Sequence, residues 1–302
     1  MKTNPIYDTL IIGGSFAGLS AAMALGRTLR RVLVIDSGQP CNRQTPHSHN
    51  FLTQDGKTPA EIAETAKQQV LAYATVEFRE DLVTQARSHE LGFEVKTQSG
   101  EIFLSKKLLL AFGIKDELPN IPGFADCWGI SVIHCPYCHG FEFRGKKTGI
   151  LAQGDRAYHL ATLVSQLTDQ LQIITSGPAD FSPEQREKLD STGIGILEKQ
   201  PSEIIHQNGV LTWVNFSDRT SEPFDAVYAD VPFSLPGKLV EQLGCKLANT
   251  GRIQVDQFQQ TSAPGVYAAG DCVNPLRSVA ASVAAGNLAG AMINHFLAVE
   301  QF

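Results

Sequence analysis

The sequence predicts an α/β protein of two domains, each built on a parallel sheet, with one domain split in sequence by the other. Three observations support this: a strand–turn–helix–strand pattern over residues 7–36, the same pattern over 148–175, and a strand–turn–helix segment that begins near Gly265. Parallel neighbouring strands need a crossover connection, usually a helix, so each full pattern predicts a βαβ unit. A chain of 302 residues is long enough for two such domains.

Glycine, proline and the spacing of apolar residues predict the elements of the first segment. Apolar runs that stop at Gly13 and at Asp36 are typical of buried strands, and the Ala-rich stretch between them is typical of a helix. A later helix begins after Thr58, which can cap it, while Pro59 fits the first turn and Glu61 completes a capping box. In order, we predict a strand at 7–12, a helix at 16–29, a strand at 32–35, a long loop at 37–56, the capped helix, and strands of a small antiparallel layer within 75–110.

Two Pro/Gly-rich stretches predict where the chain crosses between the domains. The first is Lys115–Gly123 and the second is Pro232–Gly237. We therefore predict one domain of residues 1–115 and 236–302, and an inserted domain of residues 116–235. The other predicted elements are a helix at 183–192, mainly β-structure at 194–231, and an Ala-rich helix at about 278–297.

The composition argues against several classes of function. The net charge is −6 and the pI is about 5.8, which is unfavourable for a nucleic-acid surface or a polybasic membrane anchor. Lys2 and the short apolar run Leu10–Ile12 predict a strand rather than a signal peptide, and no apolar run approaches the roughly 20 residues of a membrane helix. Six cysteines are too few for a secreted disulfide scaffold, so we expect a cytoplasmic protein. From the charge and the apolar runs we expect no nucleic-acid partner and no association with a membrane.

The strongest chemical signal is the pair Cys135-Pro-Tyr-Cys138. Two cysteines at this spacing can close an easily reduced disulfide, and each can lower the pKa of the other. A zinc site is the alternative, but zinc needs about four ligands, and only His134 and His139 are nitrogen donors close in sequence. We therefore predict a redox pair and no metal site.

A glycine-rich turn, Gly13-Gly14-Ser15-Phe16-Ala17-Gly18, joins the first predicted strand to the first helix. The usual dinucleotide pattern is G-x-G-x-x-G, whose phosphates sit at the helix N-terminus, and here Ser15 replaces the middle glycine. Asp36, at the end of the next strand, can bind ribose hydroxyls. The turn predicts a dinucleotide site, with an ordinary strand–helix turn as the alternative.

A second nucleotide signal lies in the last segment. Residues 262–271 read as an apolar strand that ends at Gly270-Asp271, and Arg277-Ser278-Val279 opens a helix. Asp271 is suited to a ribityl hydroxyl, and the helix N-terminus is suited to a flavin ring or a phosphate. By spacing alone, the segment could be any strand–turn–helix.

Together, the G-x-x-x-x-G opening, the run Thr261–Asp271 and the C-x-x-C-x-G motif resemble the low-molecular-weight thioredoxin reductase family, in order and spacing along essentially the whole chain. The turn Ala111-Phe112-Gly113 is similar to that family's Ala-Thr-Gly motif. The resemblance implies an FAD-dependent, class II pyridine nucleotide-disulfide oxidoreductase. It has two Rossmann-like, three-layer ββα nucleotide-binding domains, the FAD domain is split by the insertion, and the protein is a homodimer. The residues that it implies near FAD are Gly13, Ser15, Phe16, Ala17, Asp36, Asn50, Val83, Gly113, Gly270, Asp271, Arg277, Ser278 and Val279.

The resemblance also implies roles for the two cysteines. Cys138 would face the flavin, and Cys135 would attack a disulfide in a thioredoxin-like protein or a small molecule. Electrons would then pass between the flavin and that disulfide, with a rotation of the inserted domain that brings the pair to both.

The chain departs from the family at the second βαβ turn, which should bind the pyridine nucleotide. Residues 152–157 read Ala-Gln-Gly-Asp-Arg-Ala, so Ala152 replaces the first glycine and Asp155 adds a negative charge where phosphates would lie. Residues 175–180 carry no basic residue for the 2′-phosphate of NADPH. Whether NADPH binds is therefore left open, and reduced ferredoxin or a second flavin in the altered site are alternative electron sources.

Histidines form the second departure. His139 stands where thioredoxin reductases carry an aspartate, and we predict that it transfers protons, because imidazole titrates near neutral pH. His134 is a further candidate, and His47-Ser-His49-Asn50 resembles a His-x-His-Asn feature of gliotoxin-type dithiol oxidases. Each histidine has a structural hydrogen-bonding role as its alternative. Two other functions stay open: a dithiol oxidase that uses oxygen, and a flavin-bound redox sensor.

Overall fold

The computed structural model describes residues 6–302, so the predicted role of Lys2 lies outside the described residues. The chain forms two compact units. The first comprises the chain up to Arg43, then Asn50–Lys115 and Phe233–Phe302, and the second comprises Gln44–His49 and Asp116–Pro232. The second crossing therefore falls between Pro232 and Phe233 rather than after residue 235. Residues 44–49 belong to the second unit, which corrects their predicted assignment to the first.

The first unit contains both terminal segments of the chain. Its elements before the first crossing are β1 (Ile6–Ile12), α1 (Phe16–Arg27), β2 (Val32–Asp36), α2 (Pro59–Leu71), β3 (Val76–Glu80), β4 (Val83–His89), β5 (Gly92–Thr97) and β6 (Ile102–Leu110). Helix α2 begins with the predicted capping box, because the Thr58 side chain accepts from the Glu61 backbone N–H and the Glu61 carboxylate accepts from the Thr58 backbone N–H. This local prediction is confirmed.

The second unit is built mainly from the middle of the chain. The short strand β7 (Lys115–Asp116) lies at the first crossing, and β16 (Phe233–Ser234) lies at the second. Between them are α3 (Phe124–Cys127), β8 (Val132–Ile133), α4 (Pro136–His139), β9 (Thr148–Leu151), α5 (Gly154–Val164), β10 (Leu171–Ile174), α6 (Pro183–Ser191), β11 (Gly195–Leu197), β12 (Pro201–Gln207), β13 (Val210–Phe216), β14 (Ser221–Pro223) and β15 (Ala226–Ala229). The first unit then ends with α7 (Leu239–Gln242), β17 (Val266–Ala268) and α8 (Val279–Gln301).

The sheet of the first unit places several strand ends side by side. Strands β3, β2, β1 and β6 are neighbours in that order and parallel, and β17 pairs parallel with β6. Strands β5 and β4 continue the sheet antiparallel. The antiparallel layer predicted over 75–110 is therefore only partly right. Its first strand, β3, is a parallel edge strand, because side-chain alternation reports burial and carries no information on strand direction.

Helices α1 and α8 pack closely on one face of this sheet. A Cβ atom at Gly286 of α8 would overlap the backbone of Ala17 in α1, so only glycine allows this approach. The Ser20 hydroxyl donates to the Val283 carbonyl oxygen at 2.7 Å, which joins the helices by a polar contact as well.

Helix α8 corrects one expectation. By length and composition it is the one helix within residues 6–302 that could cross a membrane, although the sequence predicted no run of that length. Its many alanines and interspersed polar residues conceal the run when only continuous apolar stretches are sought. Buried helices of a protein core have the same length and composition, and α8 lies on α1.

The second unit has a five-stranded parallel sheet in the order β11, β10, β9, β15, β8, and a separate three-stranded antiparallel sheet of β12, β13 and β14. One buried apolar cluster includes Phe124 and Val214, and another includes Ile150, Leu160 and Tyr228. The α/β fold class with Rossmann-like parallel sheets is therefore confirmed.

Candidate functional site

The first site lies where the parallel strands of the first unit end. Gly13 follows β1 with a φ of +106°, and a Cβ atom there would overlap the carbonyl of Ala111 and lie 2.8 Å from the Cα of Phe112. Both contacts are with backbone atoms of the neighbouring β6 end, which cannot rotate away. Glycine is therefore required at position 13, as the close approach of a dinucleotide turn demands.

The carboxylate of Asp36 holds this turn together. Its Oδ1 accepts from the backbone N–H of Gly14 at 2.8 Å, and its Oδ2 accepts from the backbone N–H of Gly38 at 3.0 Å. Each carboxylate oxygen retains a further lone pair, so Asp36 can still accept from ribose hydroxyls. The acid is thus fixed at the end of β2 in a defined orientation.

The N-terminus of α1 can receive an anion. Ser15 is its N-cap residue, yet its side chain makes no capping hydrogen bond, and the first turn carries no acidic residue. The first N–H groups of this 12-residue helix therefore have no side-chain acceptor, and the helix dipole favours negative charge there. With the glycine turn and Asp36, this arrangement fits the pyrophosphate and ribose of a dinucleotide such as FAD.

Asp271 lies at the end of β17, where a ribityl chain was predicted. Its Oδ1 accepts from the Ser282 hydroxyl at 3.4 Å, and Cys41 lies 3.8 Å from its Oδ2. Loss of solvation raises the pKa of Asp271 above its usual value, while the positive charge of Arg277 opposes this. A partly buried carboxylate with few donors is suited to bind ligand hydroxyls, which would supply donors that the protein does not.

The other predicted cofactor residues lie on several elements of the first unit. Ala17 lies beside Gly270, and Ser278 caps α8 by accepting from the Ala281 N–H at 3.1 Å. Asn50 is exposed and its backbone N–H donates to the Asp55 carboxylate at 2.7 Å, and buried Val83 is the first residue of β4. The remaining members are buried Phe16, Gly113 with a φ of +70°, Arg277 with a φ of +48°, and Val279 at the start of α8.

The redox pair lies in the second unit, directly after β8. Cys135 is the N-cap residue of the single-turn helix α4, which contains Cys138. The Cys138 thiol donates to the Cys135 sulfur, and the two sulfur atoms are 2.8 Å apart. A disulfide bond is about 2.05 Å long, so the turn holds two thiols at a distance from which the bond closes by a small movement.

A group of ionisable side chains surrounds this turn. The imidazole of His49 lies 3.5 Å from the carboxylate of Glu142. Burial lowers the pKa of His139 below its ordinary value, an effect that the negative charge of Glu142 opposes and the nearby His49 reinforces. His139 is therefore uncharged at neutral pH and able to accept a proton. The rings of His134 and Trp128 lie tilted to each other with their centres 5.9 Å apart, which favours a structural role for His134, and His47 is exposed.

The strand-end crevice of the second unit differs from that of the first. The Gln153 side-chain amide donates to the carbonyl of Thr175 at the end of β10, and also to the Pro178 carbonyl at 3.4 Å. Asp155 accepts from the Gln185 amide at 2.8 Å and leaves a carboxylate in the first turn of α5. Arg156, the one basic residue of the turn, is 3.1 Å from Asp230. The polar side chains of this turn are therefore engaged with other groups of the protein.

Sequence reasoning missed several members of these sites. Cys41 and Tyr228 meet the sites through contacts between residues distant in sequence, so no local pattern marks them. Glu142 was also missed, and its position four residues after Cys138 was the only signal in the sequence. Among residues 6–302, no group of three or more histidine, cysteine, aspartate or glutamate side chains could hold a metal ion.

Comparisons with known proteins bear on these sites. A family model described as pyridine nucleotide-disulphide oxidoreductase matches residues 7–286. The chain is 33% identical over 303 residues to thioredoxin reductase tcpT of Claviceps purpurea, and this match covers 97% of this chain and 94% of that protein. The structure of a putative thioredoxin reductase TrxB from Bacillus anthracis superposes with a TM-score of 0.93 at 30% identity, covering 98% of this chain and 100% of that one. The structure of an oxidoreductase from Agrobacterium tumefaciens superposes with a TM-score of 0.91 at 34% identity, covering 98% of this chain and 99% of that one.

Proposed function

The chain belongs to the pyridine nucleotide-disulphide oxidoreductase family, and we propose that it exchanges electrons with a disulfide or dithiol substrate through Cys135 and Cys138, without a bound pyridine nucleotide. Membership of this family makes it an FAD-dependent disulfide oxidoreductase of the thioredoxin reductase type. The observation that carries the proposal for the two cysteines is the 2.8 Å separation of their sulfur atoms.

The proposed chemistry balances as two thiol–disulfide exchanges. The Cys135 thiolate attacks one sulfur of the substrate disulfide, forms a mixed disulfide and releases the first substrate thiolate. The Cys138 thiolate then attacks the Cys135 sulfur, closes the Cys135–Cys138 disulfide and releases the second thiolate. His139, uncharged at neutral pH, accepts the proton from a cysteine thiol. FAD, when bound, supplies the two-electron redox chemistry that returns the pair to its starting state.

The altered crevice of the second unit supports independence from NADPH. Gln153 is bound to the end of β10, Asp155 carries charge at the start of α5, and Arg156 is paired with Asp230. A phosphate bound at this turn would compete with these contacts and would lie close to the like charge of Asp155. Reduced ferredoxin and a dithiol substrate are the donors compatible with this arrangement, because neither needs a phosphate site here.

One experiment separates these donors. The purified holoprotein is titrated anaerobically with NADPH, NADH and reduced ferredoxin while the flavin absorbance is followed. We expect no bleaching at stoichiometric NADPH or NADH, and stoichiometric bleaching by NADPH would overturn this part of the proposal.

A cysteine series tests the pair itself. Cys135→Ser and Cys138→Ser should each abolish turnover of a disulfide or dithiol, whereas Cys245→Ser, a half-buried thiol in the other unit, should leave it unchanged. Purification without flavin, or full turnover in the double serine variant, contradicts the proposed function. Redox-dependent binding of a partner without turnover would instead support the flavin-bound sensor.

A dithiol oxidase is the second candidate, favoured by the group formed by His139, His49 and Glu142. In this direction the pair takes two electrons and two protons from a substrate dithiol, oxygen is reduced to hydrogen peroxide, and the substrate becomes a disulfide. The expected result is one peroxide per dithiol consumed, with no pyridine nucleotide added. Absence of peroxide under air would exclude this direction.

The remaining assignments are part of the same proposal. The relatives are named thioredoxin reductases, so a thioredoxin-like protein or a small disulfide or dithiol is the proposed substrate. We further propose a cytoplasmic homodimer. Sedimentation of the holoprotein at twice the mass of one 32.8 kDa chain would support the dimer.

A further inference from the structure

Tyr228 lies beside the cysteine pair through the sheet of the second unit. In the pairing of β15 with β8, Tyr228 is the register partner of Ile133, which stands two residues before Cys135. Tyr228 and Ile133 belong to the same buried cluster, so their side chains share one face of the sheet. Neither the sequence motifs nor the exchange chemistry proposed above assigns a role to this tyrosine.

The hydroxyl of Tyr228 is exceptional among the buried tyrosines. The residue is 1% exposed, and its hydroxyl has no hydrogen-bond partner. A buried hydroxyl without a partner costs free energy, and such groups in folded proteins are usually satisfied. Burial raises the pKa of Tyr228, and negative charge on Cys135, Glu142 and Cys138 raises it further. The hydroxyl therefore stays protonated and lies within electrostatic reach of both sulfur atoms.

We propose that the Tyr228 hydroxyl donates a hydrogen bond to the Cys135 thiolate once the pair is reduced, and so stabilises the nucleophile. This inference rests on the proposed function, because it assigns Tyr228 to the thiolate that attacks the substrate. A donor that is unpaired beside two thiols gains its partner when negative charge forms on sulfur. Hydrogen bonds to a charged acceptor are stronger than neutral ones, so the thiolate form gains more than the thiol form.

Other ionisable groups act on the same sulfur atoms and must be held constant. They are His134 before the pair, His139 and Glu142 after it, and His49 from the 44–49 segment. Tyr228 differs from them because it is a donor that stays neutral throughout the working pH range. Its removal therefore changes the thiolate without changing the charge of the site.

The test is the pH dependence of alkylation of Cys135 in reduced holoprotein. Iodoacetamide is used in a Cys138→Ser background, so that no disulfide forms, and the modified site is located by mass spectrometry. We expect Tyr228→Phe to move the midpoint of the profile up by about one pH unit, equivalent to about ten-fold slower alkylation below the midpoint. The matched control is Tyr158→Phe, because Tyr158 packs against the same buried cluster. Its profile should match that of the unchanged protein.

The outcomes separate this inference from the proposed function. An unchanged midpoint in Tyr228→Phe, or an equal shift in Tyr158→Phe, overturns the role of Tyr228 even if the wild-type protein turns over disulfides. Absence of wild-type turnover overturns the proposed function instead, whatever the alkylation profile. Thermal unfolding supplies the structural control. Removing an unpartnered hydroxyl should leave the melting temperature equal or higher, and a large fall without a midpoint shift indicates a structural role only.

Discussion

Gly13→Ala tests whether the turn after β1 binds the pyrophosphate of FAD. The substitution destabilises the turn in two ways. A φ of +106° disfavours any residue with a Cβ atom, and that atom would also meet the backbone of Ala111 and Phe112. The second strain is specific to this turn. The chain offers a matched control in Gly100, whose φ is +94° in the β5–β6 connection and around which a Cβ atom would meet nothing within 4 Å.

The difference between the two variants isolates the contact with the end of β6. A strained backbone conformation costs roughly 1–3 kcal/mol, and both variants bear this cost. Overpacking adds roughly 1–3 kcal/mol in Gly13→Ala alone. If the turn relaxes by moving away from β6, FAD binding must restore it. That requirement raises the dissociation constant for FAD by about ten-fold, since 1.4 kcal/mol corresponds to a factor of ten.

The assay compares FAD retention with thermal unfolding. Apoprotein of each variant is titrated with FAD by flavin fluorescence, and the melting temperature is recorded with and without FAD. Gly13→Ala should bind FAD more weakly and lose most of the ligand-induced rise in melting temperature, while Gly100→Ala should bind like wild type. Equal dissociation constants in the two variants would refute the placement of the FAD site at Gly13.

Two further predictions follow from the ionisable groups. Because burial lowers the pKa of His139, the unfolded chain takes up its proton more readily than the folded protein, so stability is lost as the pH falls below about 6.5. The melting temperature should therefore fall less between pH 7 and pH 5 in His139→Gln than in wild type, whereas exposed His159→Gln should behave like wild type. A raised pKa means that the charge of Asp271 reduces stability as the pH rises, so apoprotein with Asp271→Asn should melt higher at neutral pH, with the difference vanishing in acid. The same variant should bind FAD more weakly, and unchanged binding would contradict contact between Asp271 and the cofactor.

Local signals in the sequence predicted the elements that depend on neighbours along the chain. The capping box at Thr58, the turn at Gly13 and the helix after Ser278 each rest on residues within a few positions of one another. They could be predicted because backbone geometry and capping are decided over one or two turns. The direction of β3 could not, because alternation of buried side chains is the same in parallel and antiparallel strands.

Features that depend on residues far apart in sequence could not be predicted from such local signals. Residues 44–49 belong with the second unit, where the imidazole of His49 meets Glu142. Tyr228 reaches the cysteine pair only through the register of β15 with β8. Neither pairing leaves a pattern in composition or spacing, so the environment of the redox pair required the folded chain, while the pair itself did not.

The two strand-end turns show how one topology can supply different electron partners. Each follows a parallel strand and opens a helix, but the polar groups at the two turns are satisfied differently. In the first unit the Ser15 side chain leaves the helix N-terminus uncapped, so a phosphate can accept its N–H groups. In the second unit the Gln153 side-chain amide donates a hydrogen bond to the carbonyl of Thr175, and Asp155 places a negative charge at the helix N-terminus. The first turn is therefore suited to an anionic cofactor, whereas the negative charge of Asp155 is unfavourable for one at the second turn. This difference is the basis of our proposal that electrons come from a donor that requires no phosphate site in the second unit, and a substrate dithiol meets that condition at Cys135 and Cys138 themselves.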